Sequence, residues 1–231
     1  MINPSTGRIQ FKLTDDKFSK TDTVEKFALR YYTKNEKLKG VIGQNSIIKA
    51  LYFLLLWEEI FEEDIPLVLQ SKYQGAPLDL FEKDFYFNRK VQIDKKLEKI
   101  SKYNKEELIE NIKNIYEAKK GIKNPCVSWE SYLNDEKVLI KVGVAFGAER
   151  LVEIFKVVLN NGLKYVKKGM PDLFLWRENI ISKYKEFYYA EENSIKLVEV
   201  KSANDKLSDI QKFWLKTFLE KNINVEILYV K

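Results

Sequence analysis

Histidine is absent from this chain of 231 residues, and cysteine occurs once, at Cys126. Without histidine there is no Ser-His-Asp triad, no Cys-His dyad and no imidazole-ligated metal. A single cysteine excludes an internal disulfide framework and any zinc site built from several thiolates. Chemistry must come from carboxylates, lysines, hydroxyls or amides. Long apolar runs are missing too. The longest, residues 50–57, lies between Lys49 and Glu58. A membrane span needs roughly 20 apolar residues, so this run reads as a buried core helix. Residues 1–7 lack the basic-then-apolar design of a secretion signal. The expectation is a soluble intracellular protein with no membrane partner, cytoplasmic in a bacterial or viral setting and nuclear in a eukaryotic one.

What the chain does contain is enough to fold. Hydrophobic residues are 45% and aromatics 13% of the sequence, which excludes a disordered chain. Forty Lys and Arg against 34 Asp and Glu leave a formal charge of +6. That balance permits a nucleic-acid partner without demanding one, because the distribution of charge matters more than its sum.

Periodicity divides the chain in two. A helix is expected over residues 23–32, with Phe27, Ala28, Tyr31 and Tyr32 on one face. The apolar run extends to a long helix over about 44–62, and residues 66–77 read as loop and turns. From 90 to 120 the chain is rich in Lys and Glu at helical spacing, with Asn104 and Glu107 as a capping box and Gly121 as the stop. A further helix is expected over 148–159. After Gly169 the pattern turns to strands: 172–176, 186–190 and 196–200. An amphipathic helix over 208–221 and a strand over 224–230 follow, giving a β-α-β unit with parallel flanking strands. The expected architecture is an all-helical N-terminal part joined to an α/β core at the C-terminus. Residues 1–165 form the helical part and 166–231 the core, together one compact unit.

In the strand ending Glu199-Val200-Lys201, alternation puts Glu199 and Lys201 on one face. Asp172 opens an earlier strand after Gly169, Met170 and Pro171. If those strands are neighbours, Asp172 and Glu199 meet at one end. Two carboxylates there suit a hard divalent cation such as Mg²⁺, and metal-assisted phosphodiester hydrolysis is the natural use. Taken alone, each element also fits a bland reading, an ion pair on a strand and a Pro-Asp turn.

The run Gly169-Met170-Pro171-Asp172-Leu173 with Trp176, followed by Leu197-Val198-Glu199-Val200-Lys201 and on through Gln211 to Trp214, closely resembles the VRR-NUC domain of the PD-(D/E)xK nuclease superfamily. Val24-Glu25, Tyr31-Tyr32, residues 51–57, Pro77 to Leu80 and Val127-Ser128-Trp129 are similar to successive landmarks of the Fanconi-associated nuclease family. The resemblance implies a mixed β-sheet core flanked by helices, with a helical insert. It implies that Asp172 and Glu199 ligate one or two Mg²⁺ or Mn²⁺ ions and that the Val200 carbonyl completes the shell. Lys201 would hold the attacking water or stabilise phosphorane charge, and Gln211 would orient the site. Lys164 and Lys167, in a basic cluster with Lys168, match the stretch that holds a 5′ phosphate. The family's upstream regions have no counterpart, so the chain resembles a minimal nuclease module.

The chain departs from the family at Gln44, the position of a glutamate that completes the metal site. An amide offers a neutral oxygen and binds Mg²⁺ more weakly. The resemblance thus implies a structure-selective DNA nuclease, a 5′-flap endonuclease with 5′→3′ exonuclease action, working on branched or flapped DNA as monomer or homodimer. A Holliday-junction resolvase and a catalytically weakened DNA-binding module remain the alternatives. The helical stretch from Pro66 to Lys164 argues against the resolvase.

Overall fold

In chain order the elements are β1 (Ile2–Asn3), β2 (Arg8–Phe11), α1 (Val24–Asn35), β3 (Lys39–Ile42), α2 (Ser46–Leu55), α3 (Trp57–Phe61), α4 (Phe85–Asn88), α5 (Lys90–Ser101), α6 (Lys105–Lys119), α7 (Glu136–Phe146), α8 (Ala148–Asn161), α9 (Lys164–Lys167), β4 (Leu173–Trp176), β5 (Glu178–Asn179), β6 (Tyr189–Ala190), β7 (Lys196–Ser202), α10 (Asp209–Glu220) and β8 (Asn224–Val230). This computed structural model describes residues 2–3, 8–11, 23–43, 46–61, 65–66, 68, 74–122, 126, 128–129, 135–179, 189–202 and 204–230. The expected strand over 186–190 falls largely outside them.

Backbone contacts gather the chain into two compact units, 1–45 with 168–231, and 46–167. This differs from the division expected at residue 165, and from the expectation of an all-helical N-terminal part. Among the described residues, β1 and β2 precede α1, and β3 stands between α1 and α2. β2 pairs parallel with β8, and β3 pairs antiparallel with β4, so the first 45 residues complete the sheet. At two to four residues apiece, β1, β2 and β3 are too short to print a period-two pattern.

The sheet runs β1-β2-β8-β7-β4-β3. β7 and β8 are parallel across α10, as the β-α-β reading requires, and β4 is antiparallel to β7. One face carries Leu173, Leu175, Val198, Val200, Leu228 and Val230, packed with Ala28 and Tyr32 of α1. Thr23 starts α1 by accepting from the Lys26 N–H. Because alternate residues of β7 point to opposite faces, this packing turns Glu199 and Lys201 away from α1's core contacts. At the other end of β7, Lys196 bridges Glu36 and Glu226, and the buried Tyr32 hydroxyl donates to Glu226.

Gly40 in β3 lies tight against β4. A methyl group there would fall inside contact distance of Leu175 Cδ2 and 2.7 Å from the Phe174 carbonyl oxygen. Gly40→Ala should therefore destabilise the protein by about 2 kcal/mol through overpacking at a strand pair. A urea midpoint indistinguishable from that of the parent would refute this close approach.

In the other unit, the expected long helix breaks at Leu56 into α2 and α3. Ile47, Ile48, Leu51, Phe53 and Leu55 of α2 are essentially fully buried. The capping box at Asn104 and Glu107 is present, with bonds of 2.9 and 2.8 Å. Among the described residues no helix is long and apolar enough to cross a membrane.

Candidate active site

The register of β4 on β7 decides the site. Leu173 pairs with Val198, so continuing one residue outward sets Asp172 opposite Glu199. Asp172 precedes the first residue of β4, and its carbonyl accepts the Gly43 N–H at 2.9 Å. Its Oδ2 accepts the Val200 N–H at 2.8 Å, which fixes the carboxyl group at the mouth of the strand pair. Glu199 is 1% exposed. Its Oε1 receives Lys201 Nζ at 2.8 Å and Gln211 Nε2 at 2.5 Å.

Gln211 owes its direction to local helix chemistry. Ser208 caps α10, and Gln211 is the third residue of that helix, the reciprocal partner of a capping box. Its Oε1 accepts the Ser208 N–H at 2.9 Å. With the amide oxygen committed there, the NH₂ group is aimed at Glu199. The same oxygen lies 3.3 Å from Lys201 Nζ. A residue that starts the helix thus also locks the Glu199–Lys201 pair. Asp205 accepts the Ser202 N–H at 2.9 Å and shapes the turn leaving β7; Asn204 is exposed in that turn.

Burial is the main reason that both acids hold protons more tightly than free carboxyls. Glu199 is pushed up to about 7, first by desolvation and then by the charge of Asp172, with Lys201 opposing. Asp172 is raised by desolvation against the bond from Val200. Glu25 raises both. This half-buried acid in the first turn of α1 belongs to the landmark that begins at Val24, but it had no place among the expected site residues. An acid there is explained by the helix N-terminus alone, so its residue type did not point to the site.

Among the described residues no group of three or more His, Cys, Asp or Glu side chains is gathered closely enough to hold a metal. Two hard oxygen donors in a partly desolvated corner, repelling each other, nevertheless fit one divalent cation. Asp172 Oδ2 and Glu199 Oε1 are engaged, while Asp172 Oδ1 and Glu199 Oε2 carry no hydrogen bond among the described residues. Gln44 lies outside those residues. Of the basic cluster, Lys164 and Lys167 lie on α9, and the side chain of Lys164 is not described; Lys167 and Lys168 are exposed.

Residues 103–231 match the VRR-NUC domain. The chain belongs to the VRR-NUC family. The matched segment begins in α5–α6 territory, well before the boundary expected at residue 166. This VRR-NUC chain is 31% identical over 214 residues to a Fanconi-associated nuclease 1 homolog of Dictyostelium discoideum, covering 90% of the chain and 19% of the relative. A Schizosaccharomyces pombe homolog is 36% identical over 210 residues, covering 90% and 27%. The chain therefore spans about a fifth to a quarter of the length of these curated relatives. The crystal structure of paFAN1 bound to 2-nt 5′-flap DNA with a gap superposes with a TM-score of 0.80 at 26% identity, covering 99% of this chain and 38% of that one.

Proposed function

We propose that this VRR-NUC chain is a metal-dependent, structure-selective DNA nuclease that cleaves 5′-flapped DNA. The convergence of Asp172, Glu199, Lys201 and Gln211 on one corner of the sheet carries the reading. The likeness to paFAN1, solved with a 5′ flap, supports the choice of substrate. Asp172 and Glu199 would hold Mg²⁺ or Mn²⁺, with the Val200 carbonyl as a neutral donor. When bound, the cation supplies charge stabilisation to the phosphate and acidifies a water. Lys201, paired to Glu199 and steadied by Gln211, orients the attacking water and meets negative charge growing on the phosphate. Lys164, Lys167 and Lys168 are assigned to phosphate positioning, a role that fixes register without reading sequence.

A weakened enzyme is the second reading, and Gln44 favours it. The position lacks the charge that the resembling family supplies to its cation. Cleavage of a labelled 5′ flap with Mn²⁺, on this chain and on Gln44→Glu, tests both. Chelation should stop cleavage, and Gln44→Glu should raise the rate about tenfold, a barrier change of about 1.4 kcal/mol. No cleavage by either protein, with metal present and flap bound, would overturn the nuclease reading. Equal rates would remove Gln44 from the metal centre.

A further inference from the structure

A groove in the helical unit shares Lys167 with the phosphate-positioning cluster, and its other lining residues have been given no role. One stretch of it, about 580 Å³, lies between the turn before α4 and the end of α8, and it is lined by Tyr52, Phe81, Lys83, Asn160 and Lys167 among others. A second stretch of about 420 Å³ is lined by Tyr86, Lys90, Asp94, Lys156 and Asn160. Tyr86 and Asn160 line both, so the two adjoin and form one elongated depression. Each part has the size of a small-molecule site, and the length suits a chain of linked units.

The lining has three separate features of nucleotide recognition. The first is an exposed ring. Phe81 keeps 59% of its surface in solvent and lines the first stretch, so its ring is presented to whatever enters the groove. The second is charge at the right place. Lys167 holds its ammonium 3.8 Å from the centre of the Phe81 ring. A base that stacks on this exposed ring would bring its backbone phosphate near that cation. Neither Lys167 nor the exposed Lys83 takes part in an ion pair among the described residues, whereas Lys90 and Lys156 farther along are paired with Asp94 and Glu153. Glu82 is the acid on the Phe81 side. The third feature is a free amide. Asn161 Nδ2 is spent on the Val157 carbonyl, but the Asn160 amide makes no hydrogen bond among the described residues and can meet a base edge.

We infer that this groove is a subsite for single-stranded nucleic acid, with a base stacked on Phe81 and phosphates on Lys83 and Lys167. The inference rests on the nuclease reading, since a flap is the single strand at hand. Stacking is sequence-tolerant because every base has a π face, so the subsite would sense single-strandedness rather than sequence. A duplex cannot use it, because its bases are already stacked on one another.

The test separates this subsite from catalysis by omitting metal. Fluorescence anisotropy of a labelled oligothymidylate and of a blunt duplex is measured on the full chain, on Phe81→Ala, on Phe81→Tyr and on Lys83→Ala. Phe81→Ala should weaken the single strand at least fivefold and leave the duplex within a factor of two, and Phe81→Tyr should restore binding. Lys83→Ala should reduce the salt slope for the single strand by about 0.7. Quenching of the tryptophan introduced by Phe81→Trp on adding the oligonucleotide would support stacking directly. Unchanged single-strand affinity in Phe81→Ala, or equal losses for strand and duplex, would overturn the subsite. Either result stands whether or not the protein cleaves flaps, so failure of the subsite and failure of the nuclease reading are distinguishable.

Discussion

Lys201→Ala should lower the rate of flap cleavage about 10³-fold while leaving DNA affinity within a factor of two. The first half follows from position. Lys201 is 9% exposed, and its ammonium lies between Glu199 Oε1 and Gln211 Oε1. A fixed cation in a desolvated corner stabilises developing phosphate charge far more than the same cation in water, and losing one such preorganised group costs about 10²–10³ in rate. A second loss adds to the first. Without its ammonium, Glu199 keeps the desolvation penalty and loses the opposing cation, so it holds its proton more firmly at neutral pH. A protonated acid is a poor cation ligand. The second half follows from counting. Lys201 is one of 40 Lys and Arg residues, and a buried one contributes little to long-range attraction of a phosphate backbone. Single-turnover cleavage and anisotropy on the same substrate separate the two. If affinity and rate fall together in equal measure, Lys201 anchors DNA and the catalytic assignment fails.

The site was more legible in the sequence than the sheet that holds it. Glu199 and Lys201 are two apart in an apolar strand, so alternation alone puts them on one face. Asp172 required only that two strands be neighbours, and the antiparallel register supplies that. Gln211 sits at the edge of the α10 stripe, but its reach to Glu199 comes from the Ser208 capping box, a pairing the sequence displays three residues apart. Three capped helices came through for the same reason, since Thr23, Asn104 and Ser208 each print a local signal, whereas α7, capped by Asp135, was passed over. The misreadings were non-local. β2 joins β8 from more than two hundred residues away, and no local pattern encodes that pairing. In α7, residues 142–146 are all buried, so its second half has no polar residue to mark a period, and only Lys137 and Lys141 in the first half lie at helical spacing. The nearness of Glu25 to the two acids went unread because an acid in a first helical turn already has a sufficient local explanation.

Glu199 gives the metal-free protein an unusual response to pH. A carboxyl with an ordinary value near 4.5 in the unfolded chain stands at about 7 in the folded one. Between those values the folded state keeps a proton that the unfolded state has released. Stability therefore falls as pH rises from about 4.5 to 7, the reverse of the behaviour of a salt-bridged acid. The gap, 7 − 4.5, corresponds to about 3 kcal/mol lost across that window. Asp172 acts in the same direction. Asp94 and Glu98, whose protons are held loosely by Lys90 and Lys102 bonds, act in the opposite one. Comparing the parent with Glu199→Gln cancels the background. The amide keeps the shape and an acceptor oxygen, carries no charge, and has nothing to ionise. Glu199→Gln should thus match the parent near pH 4.5 and exceed it by about 3 kcal/mol at pH 8, measured by urea unfolding with a chelator present. Mn²⁺ should stabilise the parent at pH 8 and leave the variant unaffected, because binding to the folded state alone shifts unfolding by mass action. An equal pH dependence in both proteins would place the proton elsewhere. If the parent becomes more stable than the variant as pH rises, the Lys201 pairing outweighs the desolvation of Glu199, and this corner of the sheet is a structural ion pair rather than a site held ready for a cation.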